Sequence, residues 1–484
     1  MPVPPTSAAV AIPRPAYDRN AITTGIVHFG FGNFHRAHQA MYVDRLMSRG
    51  EAMDWGICGV GLLPADAAMR DAMGAQDNLY TLVLKNPDGT LDPRIIGSVH
   101  EYLFAPDDPE AVLARLVDPA VRIVSLTVTE GGYHIDRTTN RFDTSAPAIV
   151  ADAADPHHPA TVFGYITEGL ARRRTAGTPP FTVMSCDNLP GNGDITRQAI
   201  TAFAALVDPE LAAWIASAVS FPNGMVDRIT PTTTDADRAL VTERFGVADA
   251  WPVMAEPYTQ WVIEDEFPLG RPAFEEVGAQ LVPDVRPYEL IKLRLLNAGH
   301  QVLAYTGLLR GHRYAHEAMA DDVVATAVRA YMEEARPTLQ PVPDVDIDEY
   351  IAQLMVRFGN PAIGDTLERL ATDGSDRMPK FVLPAVRANT AAGRPVPWGG
   401  AAVACWKACY EDGNESDSRI EFIDSFAAEL RARAGSDDSH DFLRSETIFG
   451  DILTDTAFVV EYDAALATLH SASVAALVAR LTGR

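Results

Sequence analysis

Three polar residues interrupt an otherwise apolar stretch in the second half of the chain, ELIKLRLLNAGHQVLAYTGLL. They are Lys292, Asn297 and His300, and Glu289 precedes Lys292 by three residues. On an α-helix, which turns by about 100° per residue, all four side chains project to one side. Burying an amine, an amide and an imidazole is unfavourable unless each finds a partner. The pattern predicts functional groups on a buried helix, although mutual hydrogen bonds at a domain interface would also explain it.

These residue types suit the chemistry of an alcohol. A lysine whose pKa is lowered by burial can act as a general base near neutral pH. Amide groups can stabilise a developing alkoxide, and a histidine can position a neighbouring hydroxyl. A further amide, Asn188, follows the apolar run of FTVMSCDNLPGNG. This residue would lie at the carboxyl end of a strand, where open α/β sheets bind ligands, although a lone Asn is more often a turn residue.

A turn with two glycines follows the first apolar run, in GIVHFGFGNFHRAH. Gly30 and Gly32 occupy the first two positions of a dinucleotide-binding turn, in which the backbone approaches a pyrophosphate at the start of a helix. His35 stands where a third glycine is usual, and Arg36 is a candidate added cation. An ordinary glycine turn is the alternative. His35 and His38 would suit a metal only if other residues supplied ligands, and the sequence nominates none.

The acid that would hold the adenosine ribose is Asp66. It follows Gly30 by 36 residues, whereas the usual spacing is about 20. An acid at this position favours NAD over NADP, because it repels a 2′-phosphate. Asp66 could equally be the N-cap of the next helix. The candidate cofactor-binding residues are Gly30, Phe31, Gly32, Asn33, Phe34, Arg36 and Asp66.

The elements that would position these residues differ between the two parts of the chain. Residues 1–285 alternate short apolar runs with amphipathic segments, which predicts a mostly parallel sheet with crossover helices and a Pro-rich N-terminal arm. Helices are predicted there over RAHQAMYVDRLMSRG from Arg36 and PEAVLARLV from Pro109. Residues 286–484 show long helical periodicity, as in DVVATAVRAYMEEA from Asp322 and SRIEFIDSFAAELRARA from Ser418. The predicted class is α/β plus α, with the boundary at residues 285 and 286. The predicted strands are Gly25–Phe31, Trp55–Leu62, Tyr80–Lys85, Arg122–Thr129 and Phe181–Ser185, with two more in WPVMAEP and WVIED.

The composition excludes several classes of function. The formal charge is −25, which argues against nucleic acid and against anionic membrane surfaces as partners. Four scattered cysteines form no disulfide framework and no Cys-x-x-Cys pair. The start has no basic region followed by an apolar region, and no apolar run reaches about 18 residues. These observations predict a cytoplasmic protein with a small-molecule substrate.

Three stretches together resemble the long-chain polyol dehydrogenases of the mannitol dehydrogenase family. They are GFGNFHRAH, SCDNLPGNG followed by VDRITP, and the Lys-x₄-Asn-x₂-His of the polar helix. FGNPAIGDTLERLATDGSDRMPKF is similar to the family's C-terminal substrate segment. The resemblance implies reversible, metal-independent oxidation of a sugar alcohol by NAD, such as D-mannitol to D-fructose, or of D-arabinitol or D-sorbitol. It also implies a Rossmann-type N-terminal domain, a mostly helical C-terminal domain, an active site in the cleft between them, and a monomer.

The same resemblance implies a role for each candidate residue. Lys292 is the general base, Asn188 and Asn297 form the oxyanion hole, and His300 orients the substrate. Glu289 lies on a proton path to solvent. Three positions match those that hold the polyol hydroxyls: Asp227, Arg369 and Lys380. A histidine in place of the third glycine is usual in the family, and Asp66 falls at its NAD-selecting acid.

Four other interpretations remain open. Hexuronate reductases that act on fructuronate or tagaturonate share the Lys/Asn/His set, and Arg369 and Lys380 could bind the carboxylate of such a substrate. Tyr288 and Lys292 have the spacing of the short-chain dehydrogenase pair, although the glycine loop and the chain length differ from that class. A zinc-dependent enzyme would need ligands, and Cys405 and Cys409 read better as core residues. A nucleotide-binding regulatory protein would not need the polar helix.

Overall fold

The computed structural model describes residues 12–136, 141–411 and 420–483. The chain folds as two compact units. The first runs to Asn86 and from Thr90 to Arg286, and the second comprises Pro87–Gly89 and the residues from Pro287 onward. Residues 1–11 of the predicted Pro-rich arm lie outside the described residues; the carbonyl of Pro13 accepts a hydrogen bond from the Ile95 amide. In the described part of the chain, no helix has both the length and the apolar character to cross a membrane.

The strands and helices have the following bounds. The strands are β1 Thr24–Phe29, β2 Gly56–Gly61, β3 Tyr80–Lys85, β4 Leu91–Ile96, β5 Val99–Phe104, β6 Ile123–Leu126, β7 Ile135–Asp136, β8 Arg141–Phe142, β9 Thr182–Ser185, β10 Gly224–Asp227, β11 Val253–Ala255, β12 Gln260–Glu264 and β13 Gln280–Val282. The α-helices of the first unit are α1 Asn33–Ala37, α2 Gln39–Met47, α3 Ala67–Ala75, α4 Pro109–Val117, α5 Pro147–Ala154, α6 Val162–Ala176, α7 Asn192–Val207, α8 Pro209–Ala218 and α9 Asp235–Phe245.

The remaining helices belong to the second unit. The α-helices are α10 Arg286–Ile291, whose first residue still belongs to the first unit, α11 Ala298–Leu309, α12 Ala315–Ala320, α13 Asp322–Ala335, α14 Ile347–Phe358, α15 Leu367–Ala371, α16 Gly374–Arg377, α17 Leu383–Ala391, α18 Pro397–Tyr410, α19 Ala427–Ala434, α20 Glu446–Phe449, α21 Thr456–Ser471 and α22 Val474–Thr482. Two π-helical turns, Lys292–Asn297 and Met378–Val382, pack against one another.

The first unit is built on a parallel sheet with the strand order β5-β2-β1-β6-β9. Every residue of β1, β2, β6 and β9 is buried, because helices cover both faces of such a sheet. Phe29 pairs with Val60 on one side and Leu126 on the other. The carboxyl ends of these strands therefore lie side by side and carry the loops of the candidate site. The predicted fold class, Rossmann-type followed by mostly helical, is confirmed.

Two predicted elements of the first unit differ in the structure. β3 is a strand, but it pairs with β4 and β11 in a separate three-stranded sheet. Apolar alternation indicates a strand and not its partners. The helix predicted from Arg36 is two helices, because the backbone at His38 has φ −122° and ψ −98° and interrupts the turn.

Two predicted helices of the second unit also differ. The polar helix is not continuously α-helical, since Lys292–Asn297 forms a π-helical turn between α10 and α11. The helix predicted over SRIEFIDSFAAELRARA is α-helical only from Ala427 to Ala434. Its first two residues lie outside the described residues, and residues 420–426 are extended or turned. The Asp424 carboxylate there accepts hydrogen bonds from the Ser375 amide and hydroxyl. The Ile423 carbonyl accepts one from the Asp373 amide, so that this segment bonds to the start of α16 instead of forming a helix.

Candidate functional site

The loop from residue 30 to residue 37 is called the nucleotide loop below. It contains two glycines, and glycine is favoured at each for a different physical reason. Gly30 has φ +85°, and a Cβ there would lie 2.0 Å from the Thr127 carbonyl oxygen. The fold itself therefore requires Gly30. Gly32 has an ordinary φ, is exposed, and would place a Cβ no closer than 3.8 Å to any described neighbour. Since the chain leaves this space open, Gly32 fits a site where a ligand approaches the backbone.

The side chains of Asn33 and Arg36 are committed to protein contacts. Asn33 Nδ2 donates to the Pro231 carbonyl and the Thr233 hydroxyl, both at 2.9 Å. The Arg36 guanidinium is fully buried and donates to the Trp251 carbonyl and to Asn33 Oδ1. All three guanidinium nitrogens of Arg36 thus have protein partners, which weighs against a role as an added cation for phosphate.

The histidines in and beside the nucleotide loop are not arranged as metal ligands. The His35 ring stacks on His28 with centroids 3.4 Å apart. Burial lowers the pKa of His28 to about 3. Burial, and then the nearby His28, His38 and Arg36, lower the pKa of His35 well below its usual range. The His38 ring instead stacks on Phe34. Among the described residues, no group of three or more His, Cys, Asp or Glu side chains could hold a metal.

The Phe31 and Phe34 side chains pack against neighbouring residues of the protein. Phe31 is buried, lies 2.7 Å from the position that a Cβ of Gly59 would take, and contacts Tyr102 edge-on at 5.4 Å between centroids. Phe34 is half-buried against His38, at 5.0 Å between ring centroids. These contacts place the Phe31 ring in the core, so that its contribution to a ligand site comes through the backbone.

Asp66 lies where β2 ends, as the cofactor interpretation requires. Its Oδ2 accepts hydrogen bonds from the Leu62 and Leu63 amides, each at 2.9 Å. Its side chain does not cap α3, although it occupies the N-cap position. The carboxylate is therefore fixed at the carboxyl edge of the parallel sheet, half-buried, one strand away from the nucleotide loop.

Asn188 is exposed at the same edge of the sheet, three residues after β9 ends. Two neighbours hold its turn. The Asp187 carboxylate accepts hydrogen bonds from the Val128 and Thr129 amides, both at 2.9 Å. The Asn192 amide group donates to the Ser185, Asp187 and Gly224 carbonyls. The turn that carries Asn188 is thus tied to β10 and to the loop after β6.

Sequence reasoning missed these supporting residues. Asp187 and Asn192 stand inside the quoted motif CDNLPGN, and that was the available signal. No sequence signal pointed to Thr129. Its backbone has φ +66° and ψ 163°, a conformation that costs a β-branched residue about 1–3 kcal/mol. The Asp187 carboxylate, which accepts from the Thr129 amide, is one of the contacts that maintain this strain.

Asp227 is buried at the end of β10, opposite Gln260 on β12. Residues 227–233 are called the Asp227 segment below. The next residue, Arg228, is buried as well, and burial lowers the pKa of its guanidinium to about 10. Asp227 thus lies in the first unit together with the nucleotide loop and Asn188.

The second unit brings together the polar residues of the interrupted helix. Lys292, Asn297 and Glu289 are each at most 8% exposed. On a regular α-helix, side chains five residues apart differ by about 140°. The π-helical turn has i→i+5 hydrogen bonds, which bring Lys292 and Asn297 closer together around the helix axis than an α-helix would, and such turns are frequent at functional sites. The Asn297 Oδ1 atom is buried and has no hydrogen-bond partner in the described chain.

His300 follows one turn later and is surrounded by positive groups. Its ring packs on Phe358 with centroids 4.3 Å apart. Burial lowers its pKa well below the usual range, and Arg369, Arg357, Arg377 and Lys292 lower it further, in that order. His300 is therefore neutral near pH 7, with one ring nitrogen that can accept and one that can donate.

The two predicted hydroxyl-binding cations have different surroundings. Arg369 pairs with Asp365, at 2.5 Å from Nε to Oδ1, and its charge acts on His300. Lys380 is 42% exposed, pairs with Asp376 at 2.7 Å, and is absent from the charges that act on His300. Arg357 and Arg377 do act on it, and sequence reasoning missed both. Arg377 lies in the quoted stretch GSDRMPKF, and Arg357 in the buried end of α14.

The residues that a zinc-dependent enzyme or a short-chain dehydrogenase would use are buried in the core. Cys405 and Cys409 are buried in α18, and burial raises the pKa of the Cys409 thiol well above its usual range. A thiol kept protonated is a poor zinc ligand. Tyr288 is buried, and burial and the charge of Asp344 raise its pKa. A catalytic tyrosine base needs the opposite shift.

Comparisons with known proteins agree along the whole chain. The mannitol dehydrogenase Rossmann domain matches residues 24–276, and the mannitol dehydrogenase C-terminal domain matches residues 284–470. A mannitol 2-dehydrogenase of Cereibacter sphaeroides is 47% identical over 460 residues, 94% of this chain and 96% of the relative. One of Phaeosphaeria nodorum is 45% identical over 471 residues, 96% of this chain and 83% of the relative.

Two solved structures are similar over 98% of both chains. One is Pseudomonas fluorescens mannitol 2-dehydrogenase in a ternary complex with NAD and D-mannitol, with a TM-score of 0.88 and 44% identity. The other is a D-sorbitol dehydrogenase in substrate-free form, with a TM-score of 0.90 and 38% identity. With both domains matched and identities above 40% over nearly the full length, this chain belongs to the mannitol dehydrogenase family.

Proposed function

We propose that this protein is an NAD-dependent polyol dehydrogenase that oxidises D-mannitol to D-fructose, or a similar sugar alcohol such as D-arabinitol or D-sorbitol, reversibly and without a metal. The similarity to enzymes named mannitol 2-dehydrogenase and D-sorbitol dehydrogenase supports the reaction class. The carrying observation is the π-helical turn, which brings the buried Lys292 amine and an amide with an unpartnered buried oxygen closer together around the helix axis. A buried amide oxygen without a protein partner calls for an explanation, and a ligand that donates a hydrogen bond to it is one.

The residues of the first unit fit NAD. NAD supplies the hydride acceptor when it is bound. The backbone at Gly30 and Gly32 would hold its pyrophosphate, since Gly32 leaves room that a side chain would fill. Asp66, fixed at the end of β2, would accept hydrogen bonds from the adenosine ribose and disfavour a 2′-phosphate. Asn33 and Arg36 hold the loop in shape and do not contact the ligand through their side chains.

Lys292 is the proposed general base. Its amine takes the proton of the substrate hydroxyl as hydride leaves the carbinol carbon, and it returns the proton when a ketose is reduced. Glu289, three residues earlier and also buried, is proposed to pass that proton to solvent. Asn297 is proposed to donate its amide hydrogens to the substrate oxygen, and Asn188 to supply a second donor to it. A donor aimed at a developing oxyanion stabilises the transition state more than the ground state.

The remaining candidates bind and orient the substrate. Neutral His300 can both donate to and accept from vicinal hydroxyls, as polyol recognition requires. Asp227 is a proposed acceptor and Arg369 a proposed donor for hydroxyls farther along the chain. Lys380 has the weakest support of these assignments, because its amine lies in a surface ion pair.

A hexuronate reductase is the second candidate, and one observation favours it. Three guanidinium groups, those of Arg357, Arg369 and Arg377, act on His300. A substrate carboxylate, as in fructuronate or tagaturonate, would be attracted by such a cluster. Arg369 is already paired with Asp365, which reduces the positive charge available to a carboxylate.

Initial rates with a panel of polyols, ketoses and hexuronates distinguish the polyol dehydrogenase from the hexuronate reductase. We expect turnover of D-mannitol, D-arabinitol or D-sorbitol with NAD, a lower kcat/KM with NADP, and rates unchanged by a strong chelator. Faster reduction of fructuronate or tagaturonate with NADH than of D-fructose would favour the hexuronate reductase. Failure of the whole panel with both nucleotides would contradict the proposed enzyme. Sedimentation at assay concentrations checks the predicted monomer.

A further inference from the structure

The Arg228 guanidinium joins the nucleotide loop to the strand that carries Asp227. Nη1 donates to the Ala37 carbonyl at 2.6 Å and lies 3.2 Å from Met41 Sδ. Nε and Nη2 both donate to the Glu256 carbonyl, at 3.0 and 2.9 Å. All three nitrogens are therefore used, and the side chain is 5% exposed. The Arg228 side chain thus links the Ala37 and Glu256 carbonyls and is almost entirely buried. It is called the brace below.

The two carbonyls that Arg228 binds belong to backbone segments held by further hydrogen bonds. Ala37 ends α1, and the interruption at His38 removes the regular helical partner of its carbonyl. The preceding carbonyl, that of Arg36, is satisfied by the Tyr80 hydroxyl at 2.7 Å. At the other end, Glu256 Oε1 accepts from the Ile229 amide, and the Glu256 amide donates to the Ile229 carbonyl. The backbone on the far side of Arg228 from Asp227 is therefore fixed.

A second link joins the same two segments independently. Asn33 Nδ2 donates to the Pro231 carbonyl and the Thr233 hydroxyl, and its Oδ1 accepts from Arg36. The Thr233 hydroxyl in turn donates to the Pro252 carbonyl at 2.7 Å. Asn33 is at the start of α1 and Ala37 at its end, so that both ends of this short helix are fastened to the Asp227 segment.

We propose that Arg228 and Asn33 are positioning residues that hold the nucleotide loop and the Asp227 segment as one rigid frame, so that nucleotide affinity and polyol affinity depend on the same brace. The inference rests on the proposed function, in which the loop binds NAD and Asp227 binds a polyol hydroxyl. Neither Arg228 nor the Asn33 side chain touches a ligand in this assignment. Their loss therefore acts on both substrates together, through geometry.

The test uses Arg228→Lys, Arg228→Met and Asn33→Ala in the full-length enzyme. A lysine has three donors on one nitrogen and lacks the planar fork with which Arg228 reaches the two carbonyls from separate nitrogens. We expect the KM for NAD, the KM for the preferred polyol and the Kd of NADH, measured by fluorescence titration, each to rise about fivefold or more. kcat should change less, because the reacting groups stay in place, and Arg228→Lys should retain more affinity than Arg228→Met.

Arg173→Lys and Arg173→Met are the matched controls. Arg173 is also fully buried, its pKa is likewise lowered to about 10 by burial, and it donates to four backbone carbonyls. Its partners precede β6 and β9, at the amino edge of the sheet. These variants should lower Tm without raising either KM.

Three outcomes overturn the proposal: an Arg228→Lys enzyme with a lower Tm and both KM values unchanged, an increase in only one of the two KM values, or equal effects in the Arg173 controls. If Arg228→Met does not fold, Arg228→Lys and Asn33→Ala carry the test. If the wild-type protein turns over no polyol, the proposed function fails, and the brace is judged by the NADH titration: unchanged NADH affinity in Arg228→Lys overturns it, and a fivefold loss supports it.

Discussion

At the scale of single residues, the chemistry depends on a few buried polar atoms of the interrupted helix. Lys292 and Asn297 are both buried, and the amide oxygen of Asn297 has no partner in the described chain. The nearby His300 is kept neutral by burial and by surrounding cations. The unpartnered Asn297 oxygen is unfavourable for folding by itself, because it has lost water without a replacement hydrogen bond. A ligand hydroxyl or a water that donates to this oxygen would supply the missing hydrogen bond.

Replacement of the proposed base gives the first residue-scale prediction. Lys292→Ala should lower kcat for polyol oxidation by about a hundredfold or more, since a positioned general base contributes about 10²–10⁴. A small primary amine added to the assay should restore part of the rate, because the cavity left by the side chain can admit it. Unchanged NADH affinity shows that the fold is intact. A variant with near wild-type kcat would rule out Lys292 as the base.

Asn297 gives the second residue-scale prediction. Asn297→Ala should lose about 3 kcal/mol of transition-state stabilisation, mainly as a lower kcat. The matched control is Asn389→Ala, which removes another buried amide of the second unit. Asn389 contacts the Glu334 carbonyl and Arg394, so its loss should lower Tm and leave kcat unchanged. If Asn297→Ala raised KM alone, the oxyanion role would be wrong.

At the scale of elements, the β1–α1 connection separates a requirement of the fold from a requirement of the ligand. Gly30 turns the chain with a left-handed φ against the Thr127 carbonyl, and Gly32 lies open beside it. The helix that follows is only five residues long and is fastened at both ends by Asn33 and Arg228. The loop therefore keeps its shape through long-range hydrogen bonds more than through helical propensity.

The two glycines give a paired prediction. Gly30→Ala should destabilise the protein by more than the roughly 1–2 kcal/mol of a left-handed Ala, because its Cβ would also overlap the Thr127 oxygen. Gly32→Ala should leave Tm nearly unchanged and raise the KM for NAD about tenfold or more, a change of about 1.4 kcal/mol. Thermal denaturation and NAD saturation curves separate the two effects. A Gly32→Ala enzyme with normal NAD affinity would exclude the proposed pyrophosphate contact.

At the scale of the whole molecule, titratable groups set how stability depends on pH. The chain carries 65 acidic and 40 basic residues. Glu334 is partly buried and accepts hydrogen bonds from the Trp398 and Gly399 amides. Burial raises its pKa to about 7. The folded protein therefore binds a proton between pH 4.5 and 7 that the unfolded chain does not, and this group stabilises the fold as the pH falls through that window.

The raised pKa of Glu334 gives a prediction for the pH dependence of stability. Glu334→Gln should remove part of the gain in stability between pH 7.5 and pH 5, which is at most about 3 kcal/mol for one group shifted this far. Thermal denaturation at several pH values measures it. Glu333→Gln, an exposed neighbour, should leave the pH dependence unchanged. Identical pH profiles for Glu334→Gln and the wild-type protein would contradict a raised pKa.

Much of the architecture could be predicted from local patterns. The apolar runs found β1, β2, β6 and β9 to within two or three residues at each end, and the helices Pro109–Val117 and Asp322–Ala335 have the expected bounds. These patterns report which face of an element is buried, and burial is what periodicity records. They do not report strand partners, and β3 accordingly lies in a sheet other than the predicted one.

The sequence by itself determined most element types, the glycine loop and the set of polar residues on a buried helix, because each depends on neighbours within a few positions. Only the tertiary structure decided that Lys292 and Asn297 share a π-helical turn, that Lys380 lies in a surface ion pair, and that Arg36 faces protein. Asn33 donates to a carbonyl 198 residues away. Such contacts depend on how the whole unit folds, and no local pattern of residues specifies which donor meets which acceptor.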